Sequence, residues 1–95
     1  MAFKTFVVVV YDISNDRRRT KLHKALQDYG DPVQYSVFEC LLDAEQLARM
    51  KKAVAKIIRP KTDRVRYYTL CQSCLKKIEI TSGAEVVSEE QVIVV

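Results

Sequence analysis

The sequence predicts an α+β fold, in which two helices pack on a single sheet. Short β-branched and aromatic runs suited to strands alternate with two longer segments of helical periodicity. Their order along the chain is strand, helix, strand, strand, helix, strand, which is the split βαβ arrangement of ferredoxin-like folds. We therefore expect a ferredoxin-like βαββαβ sandwich with a C-terminal strand extension, assembled as a homodimer.

Length and composition describe an ordinary small protein. The 95 residues correspond to one domain, and 48% hydrophobic with 29% charged residues is usual for a soluble globular chain. The net charge of +4 permits a polyanionic partner without requiring one. No signal-peptide pattern opens the sequence, and no apolar run reaches the roughly 18 residues of a membrane span. We expect a cytoplasmic protein that has no membrane partner.

The first strand is predicted over residues 3–11, and a carboxylate follows it. Residues 7–11 (VVVVY) are apolar without alternation, which is typical of a strand buried on both faces. Such a strand is rigid, so the carboxylate of Asp12 at its end is held more firmly than one on a loop. Asp12 is either an oxygen ligand for a metal ion or a residue that starts a turn or caps the next helix.

A helix is predicted over residues 17–29. Four apolar residues at helical spacing form its buried stripe. They are Leu22, Ala25, Leu26 and Tyr29. Gly30 is a common residue just past a helix end, and Pro32 cannot continue a helix, so the helix is predicted to stop there.

The start of this helix carries a cluster of cations. Its first two turns contain Arg17, Arg18, Arg19, Lys21 and Lys24. Cations at a helix N-terminus oppose the helix dipole, so their presence favours a functional role. We predict that Arg17, Arg19 and Lys21 contact the phosphates of an RNA or DNA backbone; a merely solvated face is the alternative.

The remaining elements complete the sandwich. Two strands follow the first helix, the second over residues 38–42, because the parity of the apolar residues shifts within the run. Asp43 and Gln46 form a capping-box pattern that opens a second helix over residues 43–58. The last strand of the sandwich is predicted over residues 64–70, where alternate positions are apolar.

Helices on one face of the sheet leave the other face bare. A chain this small cannot cover that apolar face alone, so face-to-face dimerisation is expected. Strand-like segments recur from about residue 78, and we expect this tail to pair at the partner's sheet edge. The domain is thus predicted to span residues 1–95 and to be completed by a second copy.

Asp12 and its neighbours form a candidate metal site. Mg²⁺ prefers carboxylate oxygens and is often held by only one or two carboxylates together with substrate phosphates. Water bound to such a metal can attack a phosphodiester. Ser14 and Asp16 add oxygens nearby, and a dimer supplies Asp12 twice. Asp12 is therefore a candidate metal ligand and catalytic residue, with Mg²⁺ or another divalent cation as cofactor, and a turn or cap residue is the alternative.

The cysteines leave two alternatives open. There are three, and Cys71 and Cys74 form a Cys-x-x-Cys pair. Zinc requires four ligands, but no second pair exists and His23 is the only histidine. The thiols are either structural or incidental, or they belong to a metal site shared between subunits.

A set of spaced residues resembles a known family. The set comprises Tyr11-Asp12-Ile13, Arg19, Leu26, Tyr29-Gly30 and residues 33–39 (VQYSVFE). The Tyr-Asp-Ile opening alone is weak, but Gln-x-Ser-Val-Phe at this distance from it makes a specific signature. From Val7 to about Ile80, the chain closely resembles the Cas2 family of small CRISPR-associated proteins.

The resemblance implies a ferredoxin-like homodimer in which Asp12 binds metal and faces its twin across the dimer cleft. It implies that Arg19 is a basic residue near that cleft. It places Ser36 and Phe38 beside the site, where Phe38 shapes the site without taking part in the chemistry. Pro32 stands where some members carry an arginine, so no phosphate contact is expected from that position.

Two functions follow from the resemblance. Some members of the family resemble metal-dependent endonucleases acting on single-stranded RNA or double-stranded DNA. Others resemble the central dimer of the spacer-acquisition complex, where they bind duplex DNA and bridge pairs of an integrase partner protein. We expect an adaptation protein with a phosphodiesterase site, and the alternative is a non-catalytic scaffold.

Overall fold

The computed structural model describes residues 3–79 of the protein. Its elements in chain order are β1 (Thr5–Asp12), α1 (Asp16–Leu26), β2 (Gly30–Gln34), β3 (Val37–Leu42), α2 (Ala44–Ile57), β4 (Arg64–Leu70) and the short α3 (Gln72–Leu75). The first six elements confirm the predicted α+β fold and its ferredoxin-like βαββαβ order, to which α3 is an addition. The tail from about residue 78 is predicted to pair at the partner's sheet edge. All of it except residues 78 and 79 lies outside the described residues. No helix within residues 3–79 is long and apolar enough to cross a membrane.

The sheet is antiparallel, with strand order β2-β3-β1-β4. β1 therefore lies in the interior of the sheet, hydrogen-bonded to β3 on one side and to β4 on the other. Val7 and Val9 are completely buried, and Tyr11 nearly so. The end of β1, where Asp12 stands, is consequently held on both sides by neighbouring strands.

One face of the sheet packs against α1 and α2. The main core joins strand residues Val7, Val9, Phe38 and Cys40 to helix residues Leu22, Leu26, Met50 and Val54. The prediction that β1 is buried on both faces was only half correct, because Val8 and Val10 on the opposite face are half-buried. We call this opposite side the open face. Within residues 3–79, the far end of this face is covered, where Leu75 of α3 packs on Phe6.

The largest differences from the predicted boundaries lie between the first helix and the strand that follows it. α1 ends at Leu26, before the predicted stop, and Gly30 begins β2. An ideal Cβ at Gly30 would lie only 2.9 Å from the Cα of Cys40 on β3, so this close approach of two strands requires glycine. The capping box that opens α2 is confirmed, with the Gln46 N–H donating to Asp43 Oδ1 at 2.7 Å and the Asp43 N–H donating to Gln46 Oε1 at 2.9 Å.

A partly buried ion pair ties α1 to the loop before β4. Arg18 donates from Nε to Asp63 Oδ2 at 2.8 Å and from Nη2 to Oδ1 at 3.2 Å. The Asp63 carboxylate also accepts the backbone N–H of Arg59 at 2.8 Å. The hydrogen bond from Arg18, followed by that from Arg59, holds the pKa of Asp63 below its usual value. Arg18 therefore serves the fold, although it lies within the basic cluster.

Candidate functional site

Asp12 lies at the last position of β1, and its carboxylate belongs to the open face. Side chains alternate along a strand, and Val7, Val9 and Tyr11 point towards the helices. Asp12 is exposed, on the same face as Val8 and Val10. The residue is thus accessible to a ligand, while the strand that carries it is anchored in the core.

β4 brings two arginines beside this carboxylate. In the antiparallel register, Arg64 is the partner of Asp12 and Arg66 is the partner of Val10, so all four side chains share the open face. A hollow of about 390 Å³ is formed at this position, which we call the Asp12 hollow. Its lining consists of Val10, Tyr11, Asp12, Arg64, Arg66 and Tyr68.

The arginines of the Asp12 hollow are available to an external anion. Both are exposed, and within residues 3–79 neither forms an ion pair with a carboxylate. Nη1 of Arg66 lies 3.3 Å from the hydroxyl of Tyr68, which orients the guanidinium along the strand. A planar guanidinium suits the bidentate binding of a phosphate. The hollow therefore combines one oxygen ligand with two phosphate-binding side chains.

A single chain offers few ligands to a metal ion. Within the described residues, no group of three or more His, Cys, Asp or Glu side chains is close enough to hold one. Among residues 3–79, Asp12 is the only carboxylate that lines its hollow. One carboxylate fits a hard cation such as Mg²⁺ when waters and substrate phosphates complete the coordination. The single carboxylate therefore fits a metal ion whose remaining ligands come from a bound substrate or from a second subunit.

The predicted basic residues of α1 divide into two groups. Arg17 and Lys21 line a separate hollow on the outer surface of α1, and they are not gathered around Asp12. Arg19 folds back towards the end of β1, where it donates from Nη1 to the carbonyl of Ile13 at 2.9 Å and also pairs with Asp16. Arg19 thus holds the loop that follows Asp12.

Ser14, Ser36 and Phe38 lie around the end of β1 in different ways. Ser14 is exposed on the loop after Asp12, and its carbonyl is 3.5 Å from Nη1 of Arg19. The carbonyl of Ser36 accepts the N–H of Tyr11 at 3.0 Å. Phe38 is completely buried on the helix-covered face, with its ring 6.4 Å from that of Tyr11, centroid to centroid. The last two contact the residue before Asp12 and lie away from the open face.

Sequence reasoning missed the residues of β4. Arg64, Arg66 and Tyr68 alternate with Val65 and Tyr67 along the strand. That alternation was the signal, because it places the two arginines on the face opposite the apolar positions. The βαββαβ order then places β4 next to β1, and the register that pairs Arg64 with Asp12 is set in the folded sheet.

The Cys-x-x-Cys pair lies on α3. Cys71 caps this short helix, and its Sγ accepts the N–H of Cys74 at 3.4 Å. Both thiols are free and exposed, whereas the third, Cys40, is buried in the core. The backbone hydrogen bond from Cys74 lowers the pKa of Cys71, and burial raises the pKa of Cys40 to about 11. Whether the pair takes part in a metal site shared between subunits stays a prediction.

Comparisons with known proteins agree on one family. The model of the family "CRISPR associated protein Cas2" matches residues 5–78. A CRISPR-associated endoribonuclease Cas2 from Chloroflexus aurantiacus is 44% identical over 77 residues, covering 81% of this chain and 83% of that protein. The crystal structure of Streptococcus pyogenes Cas2 has a TM-score of 0.72 at 32% identity, covering 81% of this chain and 99% of that one. A chain from a partial Cas6-RT-Cas1–Cas2 complex has a TM-score of 0.70 at 25% identity, covering 83% of this chain and 92% of that one.

Proposed function

This chain belongs to the Cas2 family of CRISPR-associated proteins, and from that membership we propose that it is a metal-dependent endonuclease of CRISPR adaptation. The related C. aurantiacus protein is named an endoribonuclease, which supports cleavage of RNA. The observation that carries the proposal is the juxtaposition of Asp12 with Arg64 and Arg66 in one open hollow. One carboxylate beside two guanidinium groups matches a metal-assisted attack on a phosphodiester.

In the proposed mechanism Asp12 holds a divalent cation, and the arginines bind the scissile phosphate. A bound Mg²⁺ would supply a Lewis acid and an activated water molecule. Arg64 and Arg66 stabilise the negative charge that develops on the phosphate oxygens. The proline at position 32 supplies no donor, so the proposed phosphate contacts come from Arg64 and Arg66.

The same two arginines make metal binding depend on the substrate. Two positive charges beside Asp12 repel a free cation, because like charges a few ångströms apart destabilise each other. A phosphate that binds between them neutralises this repulsion and adds oxygen ligands of its own. We therefore expect weak binding of Mg²⁺ to the free protein and much tighter binding with nucleic acid present.

The other site residues serve binding and positioning. Arg17 and Lys21 line a hollow separate from the Asp12 hollow, so we assign them to backbone phosphates further along the nucleic acid. Arg19 holds the loop after Asp12 through the carbonyls of Ile13 and Ser14. Ser36 and Phe38 contact Tyr11, and they thereby support the strand that carries Asp12.

A homodimer would complete the site. The open face presents half-buried Val8 and Val10 next to the Asp12 hollow. A second copy packed on this face would bury those side chains and bring a second Asp12 near the first. Two carboxylates would then be available to one metal ion, whereas a single chain offers only one in this hollow among the described residues. We propose this arrangement, with the tail from about residue 78 pairing at the partner's edge.

The test is a cleavage assay on purified protein. Wild type and Asp12→Asn are incubated with labelled single-stranded RNA and with duplex DNA, in Mg²⁺ or in chelator. We expect cleavage only by wild type in Mg²⁺, while Asp12→Asn keeps the wild-type Tm because residue 12 is exposed. Activity that survives in Asp12→Asn would show that the site is elsewhere or that a contaminating nuclease is present.

A second pair of variants tests the arginines. Arg64→Ala should weaken cleavage by about tenfold or more, because a hydrogen bond to a charged group is lost. Arg49→Ala removes an exposed arginine from α2 and serves as the matched control. Equal effects of the two substitutions would mean that only the overall charge matters.

The alternative function is a non-catalytic scaffold that binds duplex DNA and an integrase. Its specific support is the relative found in a partial Cas6-RT-Cas1–Cas2 complex. A scaffold predicts that Asp12→Asn changes nothing, while a combined substitution of Arg17 and Lys21 abolishes duplex binding. Absence of Mg²⁺-dependent cleavage across a range of pH would favour this function.

A further inference from the structure

We propose that a second hollow, on the helix side of the sheet, binds an unpaired nucleobase of a single-stranded polynucleotide. This base hollow has a volume of about 380 Å³ and lies between α1 and the turn that joins β2 to β3. It is lined by Arg19, Thr20 and His23 of α1 and by Tyr35 and Ser36 of the turn. The inference rests on the proposed function for the polynucleotide class, and it adds a site for one base of that polynucleotide.

Tyr35 offers an aromatic surface that the fold itself does not use. Its side chain is 96% exposed, although its backbone is firmly held. The carbonyl of Tyr35 accepts a hydrogen bond from the Tyr11 hydroxyl at 3.1 Å, and the next carbonyl, of Ser36, accepts the Tyr11 N–H at 3.0 Å. A ring presented from a fixed backbone can stack on a base with little loss of entropy.

His23 adds a hydrogen-bond acceptor, and the contacts of the Tyr11 hydroxyl indicate which ring nitrogen it is. Burial raises the pKa of Tyr11, so its hydroxyl keeps its single proton, which is donated to the carbonyl of Tyr35. Nδ1 of His23 lies 3.3 Å from the same hydroxyl oxygen, so with the hydroxyl proton directed to that carbonyl, Nδ1–H donates in this contact. In that tautomer Nε2 is the acceptor. The ring of Phe38 packs against the imidazole at 5.0 Å in an edge-on arrangement and fixes its plane.

These features match an unpaired base better than a duplex. Nε2 of His23 can accept the exocyclic amino group of a base, while the Tyr35 ring stacks on its face. Among the described residues the lining contains no carboxylate, and its one cation, Arg19, is held by Asp16 and by the carbonyl of Ile13, so recognition of the base falls to Tyr35 and His23. Paired bases in a duplex are already stacked and have their Watson–Crick edges occupied, so they cannot enter. Tyr11 reaches towards this hollow and Asp12 faces the other, so both sites lie at the same end of β1.

The test measures binding without cleavage. All proteins carry Asp12→Asn and are kept in chelator, and the probe is a labelled single-stranded oligocytidylate RNA followed by fluorescence anisotropy. Parallel probes are the same DNA strand, an abasic strand of equal charge, and duplex DNA. The variants are Tyr35→Ala, Tyr35→Phe, which keeps the stacking surface, and Phe3→Ala, a matched control because Phe3 is 93% exposed at a different place.

We expect Tyr35→Ala to weaken RNA binding about tenfold, the effect of losing one base–aromatic stack. Tyr35→Phe and Phe3→Ala should bind as the parent protein does. Tyr35→Ala should not alter binding of the abasic strand or of duplex DNA. Equal losses on the RNA and DNA strands would support a hollow for a base of either polymer.

Two results would overturn the inference. Unchanged RNA binding by Tyr35→Ala would show that the ring does not stack, and an equal loss on the abasic strand would show that it contacts the backbone only. Failure of the proposed nuclease function is a separate outcome. A wild type that never cleaves, combined with a base-dependent loss in Tyr35→Ala, would refute the nuclease and leave the base hollow standing.

Discussion

Phe38 allows a sharp test of whether a residue near the site shapes it or only supports the fold. The side chain is completely buried, and its ring packs between those of Tyr11 and His23. Replacing a buried Phe by Ala costs about 3–5 kcal/mol. Domains of this kind are stable by only about 5–15 kcal/mol in total. Phe38→Ala should therefore remove much of the stability of the protein.

The expected change in Tm follows from the size of the domain. Each kcal/mol lowers Tm by about 4–8 °C in a domain of 60–100 residues, so Phe38→Ala should lower it by about 12–40 °C. Phe38→Leu retains most of the buried volume and should cost about 1–2 kcal/mol. Thermal unfolding followed by circular dichroism measures both variants against wild type.

The cleavage assay completes this test. Phe38→Leu, assayed well below its Tm, should cleave like wild type, because the ring faces the helices while Asp12 lies on the open face. A Phe38→Ala protein with the wild-type Tm would refute the packing argument. A folded Phe38→Leu protein that has lost cleavage would instead establish the direct site-shaping role that the family resemblance implies.

Two further predictions concern the fold that supports the site. Gly30→Ala should destabilise the protein by about 1–3 kcal/mol, because the new Cβ meets β3 at Cys40, and urea unfolding measures the loss; an unchanged midpoint would contradict the close approach. Asp63 has a lowered pKa in the folded protein, so its contribution is present above the pKa of the unfolded state and is lost as pH falls through the folded value. Asp63→Asn should therefore lower Tm at neutral pH and flatten its decline in acid, whereas parallel Tm–pH curves would exclude a role for the Arg18–Asp63 pair.

Much of the fold could be predicted because short sequence patterns mark the individual helices and strands. The capping box at Asp43 located the start of α2, and the alternation of Val65 and Tyr67 located β4. The end of α1 was misplaced because Gly30 resembles a helix stop, yet glycine is needed there for close contact between strands. The short helix α3 escaped prediction because it is a single turn that depends on packing Leu75 against Phe6.

The candidate site was predictable only in part. Asp12 could be identified from the apolar strand before it and from the family resemblance, since both are properties of neighbouring residues in the chain. Arg19 was correctly marked as basic, but sequence could not show that its guanidinium is engaged by the carbonyl of Ile13. Arg18 looked like one more cation of the cluster until its carboxylate partner, Asp63, was found far along the chain.

The sequence by itself determined the order of the elements, the membership of the Cas2 family and the position of Asp12 at the end of the first strand. Each of these depends on residue types and on short spacings along the chain, and neither changes with the conformation of the chain. Only the tertiary structure decided which side chains share a hollow with Asp12. Arg64 reaches it because antiparallel pairing sets β4 beside β1, and neighbours in a sheet are chosen by the path of the chain through space.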